Sequence, residues 1–176
     1  MMNLGWKNPR SDAYFIKQRA HADASTINGQ ATRYFYEMMQ SIGKEMHIST
    51  AAFALPRQSR SPTRILDLCM APGGFLDSAL RYNPGVIADA YSLPVDDRGH
   101  EVLTPEDSAV KIRLIDITML AEDTGIHAIP KEHPDEAKFL PKQFQKDTIY
   151  DLVLCDGQVL RTQDRASYRK TREARD

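Results

Sequence analysis

The chain has 176 residues, 41% of them hydrophobic and 27% charged, with a formal net charge of −1. That length and apolar content suit a globular domain with a real core, or a large part of one. Near-neutral charge argues against a broad basic nucleic-acid surface, and two cysteines cannot staple a disulfide scaffold.

The opening MMNLGWKNPR is not a signal peptide, and no apolar run approaches the ~18 residues needed to cross a membrane. An intracellular, reducing setting with free thiols is expected, without a choice between cytoplasm and nucleus. SDAYFIKQRAHAD reads as a helix capped by Ser11 or Asp12. Over residues 28–47 the helical period is clear: Phe35, Met38, Met39, Ile42 and Met46 share one stripe, with Arg33, Glu37 and Lys44 opposite. LPRQSRSPT, residues 55–63, is a polar linker.

Four apolar runs follow at 64–69, 85–93, 111–117 and 150–156, each ending in a turn signal or an acid. Their Ile, Leu and Val content predicts strands buried on both faces, as in a parallel sheet. Helices are predicted at 74–82, stopped by Asn83-Pro84-Gly85, over part of 104–110, and at 134–147. Residues 96–109 look like a loop over the sheet edge. Strand and helix alternating at this rhythm define an α/β fold. The tail 161–175 is basic and polar all round; it suits either RNA phosphates or solvent.

The motif LDLCMAPGGF places Asp67 at a strand end, then a turn of Ala71, Pro72, Gly73 and Gly74 leading into a helix. Ligands of open α/β sheets sit at such carboxyl ends, where strand order reverses. Glycines let a backbone approach a ligand closely, and a carboxylate there suits an ammonium group and repels a diphosphate. The nucleotide-loop patterns G-x-G-x-x-G and G-x-x-x-x-G-K-[ST] are absent, which counts against a nucleotide-binding domain. The plain alternative is a tight turn that uses two glycines for geometry alone. A ligand seat requires residues 71–75 to lie near neighbouring strand ends and not to be filled by the protein's own side chains.

Residues 67–75 resemble the first motif of the FtsJ-like family of S-adenosylmethionine-dependent RNA 2′-O-methyltransferases, and YDLVLCDGQ, 150–158, resembles its fourth. The resemblance covers roughly residues 30–165 and is to uncharacterised fungal members. It implies a Rossmann-like methyltransferase sheet, mostly parallel, with about four of the usual seven strands present. The division would be a helical segment 1–55 and the N-terminal part of a methyltransferase domain 56–176, one compact unit overall. The cofactor implied is S-adenosylmethionine, held by Asp67, Ala71, Pro72, Gly73, Gly74 and Phe75 at its methionine end. Asp116 and Ile117 would meet adenine, and Asp156 would stand near both cofactor and reacting centre, the one catalytic residue carried over. Asp116 and Asp156 also suit a plainer role, as acids capping the next segment.

Two parts of the family pattern are missing. The ribose-binding acid after the second strand falls at Tyr91 or Ser92, with Asp89 a possible substitute two residues early. The family's first catalytic lysine falls on Glu37, with Lys44 and Lys17 the nearby alternatives, and its last two tetrad members belong to strands beyond the fourth. The implied activity is therefore RNA ribose 2′-O-methylation, or an inactive or truncated module of the same fold that binds cofactor, RNA or a protein partner. A fourth strand at an open, apolar edge predicts that a partner or second chain completes the sheet. The histidines and cysteines show no metal-ligand spacing. Cys69 and Cys155 are expected near each other only if their strands are neighbours.

Overall fold

A computed structural model describes residues 29–55, 62–97, 99–126, 128–133, 135–144 and 148–157, with Ala13, Tyr14 and Lys17. Apart from these last three, all helical and exposed, the helix expected over 11–23 and the basic tail 161–175 lie outside the described residues, as do His21 and His127. The chain divides into two compact units: Gly29–Gln158, and a second made of Met1–Asn28 with Val159–Asp176. Helix α1, Gly29–Thr50, belongs with the sheet because it docks directly on the helix that follows the first strand.

The sheet has four parallel strands: β1 Arg64–Asp67, β2 Ile87–Ser92, β3 Val110–Leu114 and β4 Leu152–Leu154, in the order β3-β2-β1-β4. Helix α2, Gly74–Tyr82, links β1 to β2. It stops where expected. Asn83 Nδ2 donates to the carbonyls of Ala79 and Phe53, at 2.7 and 2.6 Å, and Gly85 then turns the chain at φ +86. The core lies on one face of the sheet, where Ile65, Ala88, Ala90 and Val110 meet Leu76 and Ala79, with Phe53 and Val86 closing it. Burying these side chains at about 25 cal/mol per Å² is the main stabilising contribution.

Helix α1 is present, but its buried face is rotated by about 60° from the centre of the predicted stripe, with Met39 common to both. Its buried positions are Thr32, Met39 and Gly43, while Met38, Ile42 and Met46 are 37%, 40% and 42% exposed. Close approach decides this. A Cβ on Gly43 would stand 2.7 Å from Ser78 Oγ, and one on Gly74 would strike the Tyr36 carbonyl oxygen and Met39 Cβ. Only the glycine face lets the two backbones come this near. Farther along, His47 stacks on Tyr82 with ring centroids 3.7 Å apart.

Two predicted helices do not form. Over 104–110, Asp107 Oδ1 accepts the N–H groups of Ala109 and Val110, at 2.7 and 2.9 Å, a local turn that competes with the helical ladder. Among the described residues of 134–147, only Glu136–Lys138 makes a helical turn, of the 3-10 kind. Beyond it, the backbone N–H groups of Lys142, Gln143 and Phe144 go to the carboxylates of Glu122 and Asp123, so this stretch is extended. It lies along the second face of the sheet, where Phe144 packs on Tyr91 with centroids 5.2 Å apart.

Candidate functional site

The chain passes from β1 to β2 to β3 in one direction and returns with β4 on the other side of β1. Strand order therefore reverses between β1 and β4, and the crevice past their carboxyl ends is the default ligand position in such a sheet. Asp67 ends β1 beside Leu154, and Cys155, Asp156 and Gly157 follow β4. Leu68 N–H donates to Leu154 O at 3.0 Å, which carries the pairing to the strand ends.

Asp67 is 3% exposed. Burial pushes its carboxyl up to about 7; the Cys69 N–H, 3.1 Å from Oδ1, opposes this, and the charge of Asp156 adds to it. Asp156 lies at the surface, yet the protein packed behind its carboxyl still raises its pKa. Cys69 and Cys155 follow the neighbouring strands β1 and β4, and Cys155 stands close enough to bear on the Cys69 thiol. Burial, then Cys155 and the two carboxylates, push the Cys69 thiol up to about 12, so it is neutral at any ordinary pH. A Cβ on Gly157 would stand 2.6 Å from Cys69 Sγ, so glycine is what lets the chain pass that sulfur. Among the described residues, neither Asp67 nor Asp156 forms an ion pair. Two interacting carboxylates without a cation leave these strand ends negative when both are ionised.

The turn at 71–75 lies next to these strand ends but is closed on the side where a side chain would stand. Gly73, at φ +108, would drive a Cβ into Thr104 Oγ1 and to 3.1 Å from Met70 Cε; Gly74 faces α1. Thr104 Oγ1 donates to Gly73 O at 3.1 Å, and Leu103 N–H donates to Pro72 O at 2.9 Å. Ala71 and Phe75 pack against the core, and Pro72 is buried. The protein's own packing thus requires both glycines, whatever binds nearby.

The other expected residues are not all brought together. Asp116 caps the 3-10 turn Ile117–Met119, its Oδ1 accepting from Thr118 N–H at 2.9 Å and Thr118 Oγ1 at 2.7 Å. Ile117 is half-buried in that turn. Glu37 is exposed on α1, whose inward side there presents Tyr36 and Gln40, and Lys44 and Lys17 are exposed as well. No lysine among the described residues contacts Asp156. Among the described residues there is also no group of three or more His, Cys, Asp or Glu that could hold a metal ion.

Asp89 takes no part in the crevice. It sits mid-strand on the second sheet face, 3.5 Å from Arg64 Nη1 and 3.3 Å from Arg113 Nη1, and accepts from the Tyr150 hydroxyl at 3.1 Å. This corrects the ribose-binding role, since its oxygens are already engaged. Removing the carboxylate leaves two guanidinium groups and a phenol without their shared acceptor. Asp89→Ala is expected to lower stability by about 1–2 kcal/mol, less than for a fully buried pair because both arginines are partly hydrated. A denaturant midpoint equal to that of the parent chain would remove this role. The cluster was readable in principle: Asp89-x-Tyr91 and Lys111-x-Arg113 alternate at a period of two inside otherwise apolar strands.

No family model, curated protein or solved structure matches the chain. Among the described residues, no helix is long and apolar enough to cross a membrane.

Proposed function

We propose that this chain is an S-adenosylmethionine-binding module of the methyltransferase type, with its cofactor seat at the crevice between β1 and β4. The observation that carries this reading is the pair Asp67 and Asp156 at the point of strand reversal, with no cation of the described residues beside them. The carboxylate pair fits a ligand with ammonium and sulfonium charges; the glycine turn adds shape around it and no floor beneath it. Asp116 keeps one carboxylate oxygen outside its capping bonds and is the residue assigned to the adenosine end. When bound, the cofactor supplies an electrophilic methyl group. Asp156, surface-exposed and with a raised pKa, is the group available to hold or accept the proton of an attacking hydroxyl. An RNA ribose 2′-hydroxyl is the acceptor implied by the resemblance.

A second reading is favoured by a specific observation: Glu37 stands where the family has its first lysine, and no lysine among the described residues contacts Asp156. On that reading the module binds the cofactor, RNA or a protein partner and does not turn over. Calorimetric titration with S-adenosylmethionine tests the shared part. Because the cation prefers the ionised carboxylate, affinity is expected to rise several-fold between pH 6 and pH 8, and Asp67→Asn is expected to abolish that rise. Absence of heat from the folded chain removes both readings as cofactor binders. Methyl transfer to RNA by the purified chain would decide for the first over the second.

A further inference from the structure

The second face of the sheet carries a recess unrelated to the crevice. Asp89 lies opposite Lys111 and Tyr91 opposite Arg113 across β2 and β3, a two-by-two block on one face, and Arg64 of β1 joins it diagonally. With Tyr150 above them, these residues line a cavity of about 210 Å³. Three cations thus face one carboxylate. Asp89 engages each arginine through one nitrogen, Nη1, and Arg113 Nη1 also donates to Tyr91 Oη at 2.9 Å. The remaining guanidinium N–H groups and the whole Lys111 ammonium are left without an acceptor among the described residues. Three other carboxylates nearby are tied to backbone N–H groups: Asp123 to those of Gln143 and Phe144, at 2.8 and 2.9 Å, Asp151 to that of Arg64 at 2.8 Å, and Glu106 to that of Ile112 at 3.3 Å.

A recess rich in donors, poor in acceptors and two charges positive attracts an oxyanion of matching charge. A phosphate monoester carries about −1.5 to −2 at neutral pH and offers three acceptor oxygens, whereas a diester carries a single negative charge. The cavity falls below the roughly 300–1,000 Å³ of drug-sized sites, which limits the ligand to a small molecule. We propose that the recess formed by Arg64, Lys111 and Arg113 binds a small phosphate dianion, either free phosphate or a phosphomonoester. In that complex Asp89 and Tyr91 hold Arg113 in place, Asp89 also holds Arg64, and Lys111 supplies the unpaired charge.

The test is calorimetric titration of the whole chain with inorganic phosphate, ribose 5-phosphate and dimethyl phosphate at neutral pH and low salt. Both dianions are expected to bind and the monoanionic diester to bind at least about tenfold more weakly. Tighter binding of ribose 5-phosphate assigns the site to esters; equal or tighter binding of inorganic phosphate assigns it to the free ion. Lys111 is exposed and forms no ion pair among the described residues, so Lys111→Ala should keep the parent's unfolding midpoint while weakening both dianions about tenfold, and Lys111→Arg should restore them. Failure of the folded parent chain to bind either dianion at millimolar concentration, or binding that Lys111→Ala leaves unchanged, overturns the proposal.

Discussion

Replacing Gly74 by alanine is expected to destabilise the protein by about 1–2 kcal/mol, and replacing it by valine by about 3 kcal/mol. Two effects oppose each other. Alanine is the better helix former, worth about 0.5–1 kcal/mol at most in a helix interior and less at the first position of α2. Against this, its Cβ meets the Tyr36 backbone carbonyl and Met39 Cβ, and a backbone atom cannot swing aside as a side-chain tip can. The clash wins. Gly29 is the control: it begins α1 with nothing within 4 Å of the place a Cβ would take, so Gly29→Ala should leave stability unchanged or slightly raised. Denaturant unfolding of the three variants checks the ordering, and a parent-like midpoint for Gly74→Val would show that α1 does not dock on α2 as described.

Asp67→Asn should produce the other large effect, and one that depends on pH. The carboxyl is held near 7 in the folded chain against an ordinary 3.8, so between these values the native state keeps a proton that the unfolded state has released. Stability of the parent chain is therefore expected to fall as pH rises from about 4 to about 7, and to be flat beyond. At about 1.4 kcal/mol for each tenfold change in proton affinity, the full penalty above pH 7 has a ceiling of about 4 kcal/mol. Asparagine keeps an oxygen for the Cys69 N–H and has no charge to desolvate. The variant should match the parent near pH 4 and exceed it at pH 8. Parallel pH profiles for the two proteins would show that this carboxyl does not titrate in the native state as described.

The parts of the fold that local chemistry controls were legible in the sequence. Helix α2 has an unambiguous stop in Asn83-Pro84-Gly85, and the four apolar runs are strands at close to their predicted positions. What escaped was decided at a distance. The apolar period of α1 points to Met38, Ile42 and Met46, but the docking face is chosen by two glycines, one of them on another helix. Residues 134–147 have helical composition, yet acids some 20 residues earlier capture their backbone N–H groups. For the site, the motif alone puts Asp67 at a strand end, whereas the β1–β4 crevice can be foreseen only once strand order is assumed. The Asp89 cluster escapes a rule that makes the strands of a parallel sheet apolar on both faces. Here the second face is overlain by an extended segment and stays partly open to water, so charged side chains can stand on it.

The short fourth strand also bears on how the chain reaches its native state. Its contact with β1 joins Arg64 to Asp151, 87 residues on, roughly four times the span from β1 to β2, which adds about 1 kcal/mol of loop-closure entropy. Only three residues then zip along the ladder to offset it. Strands β1 to β3 with α2 are therefore expected to form first, and β4 to join last and leave first. The amides of Leu152 to Leu154 should accordingly exchange with deuterium ahead of those in β2, and the crevice holding Asp156 should open with them.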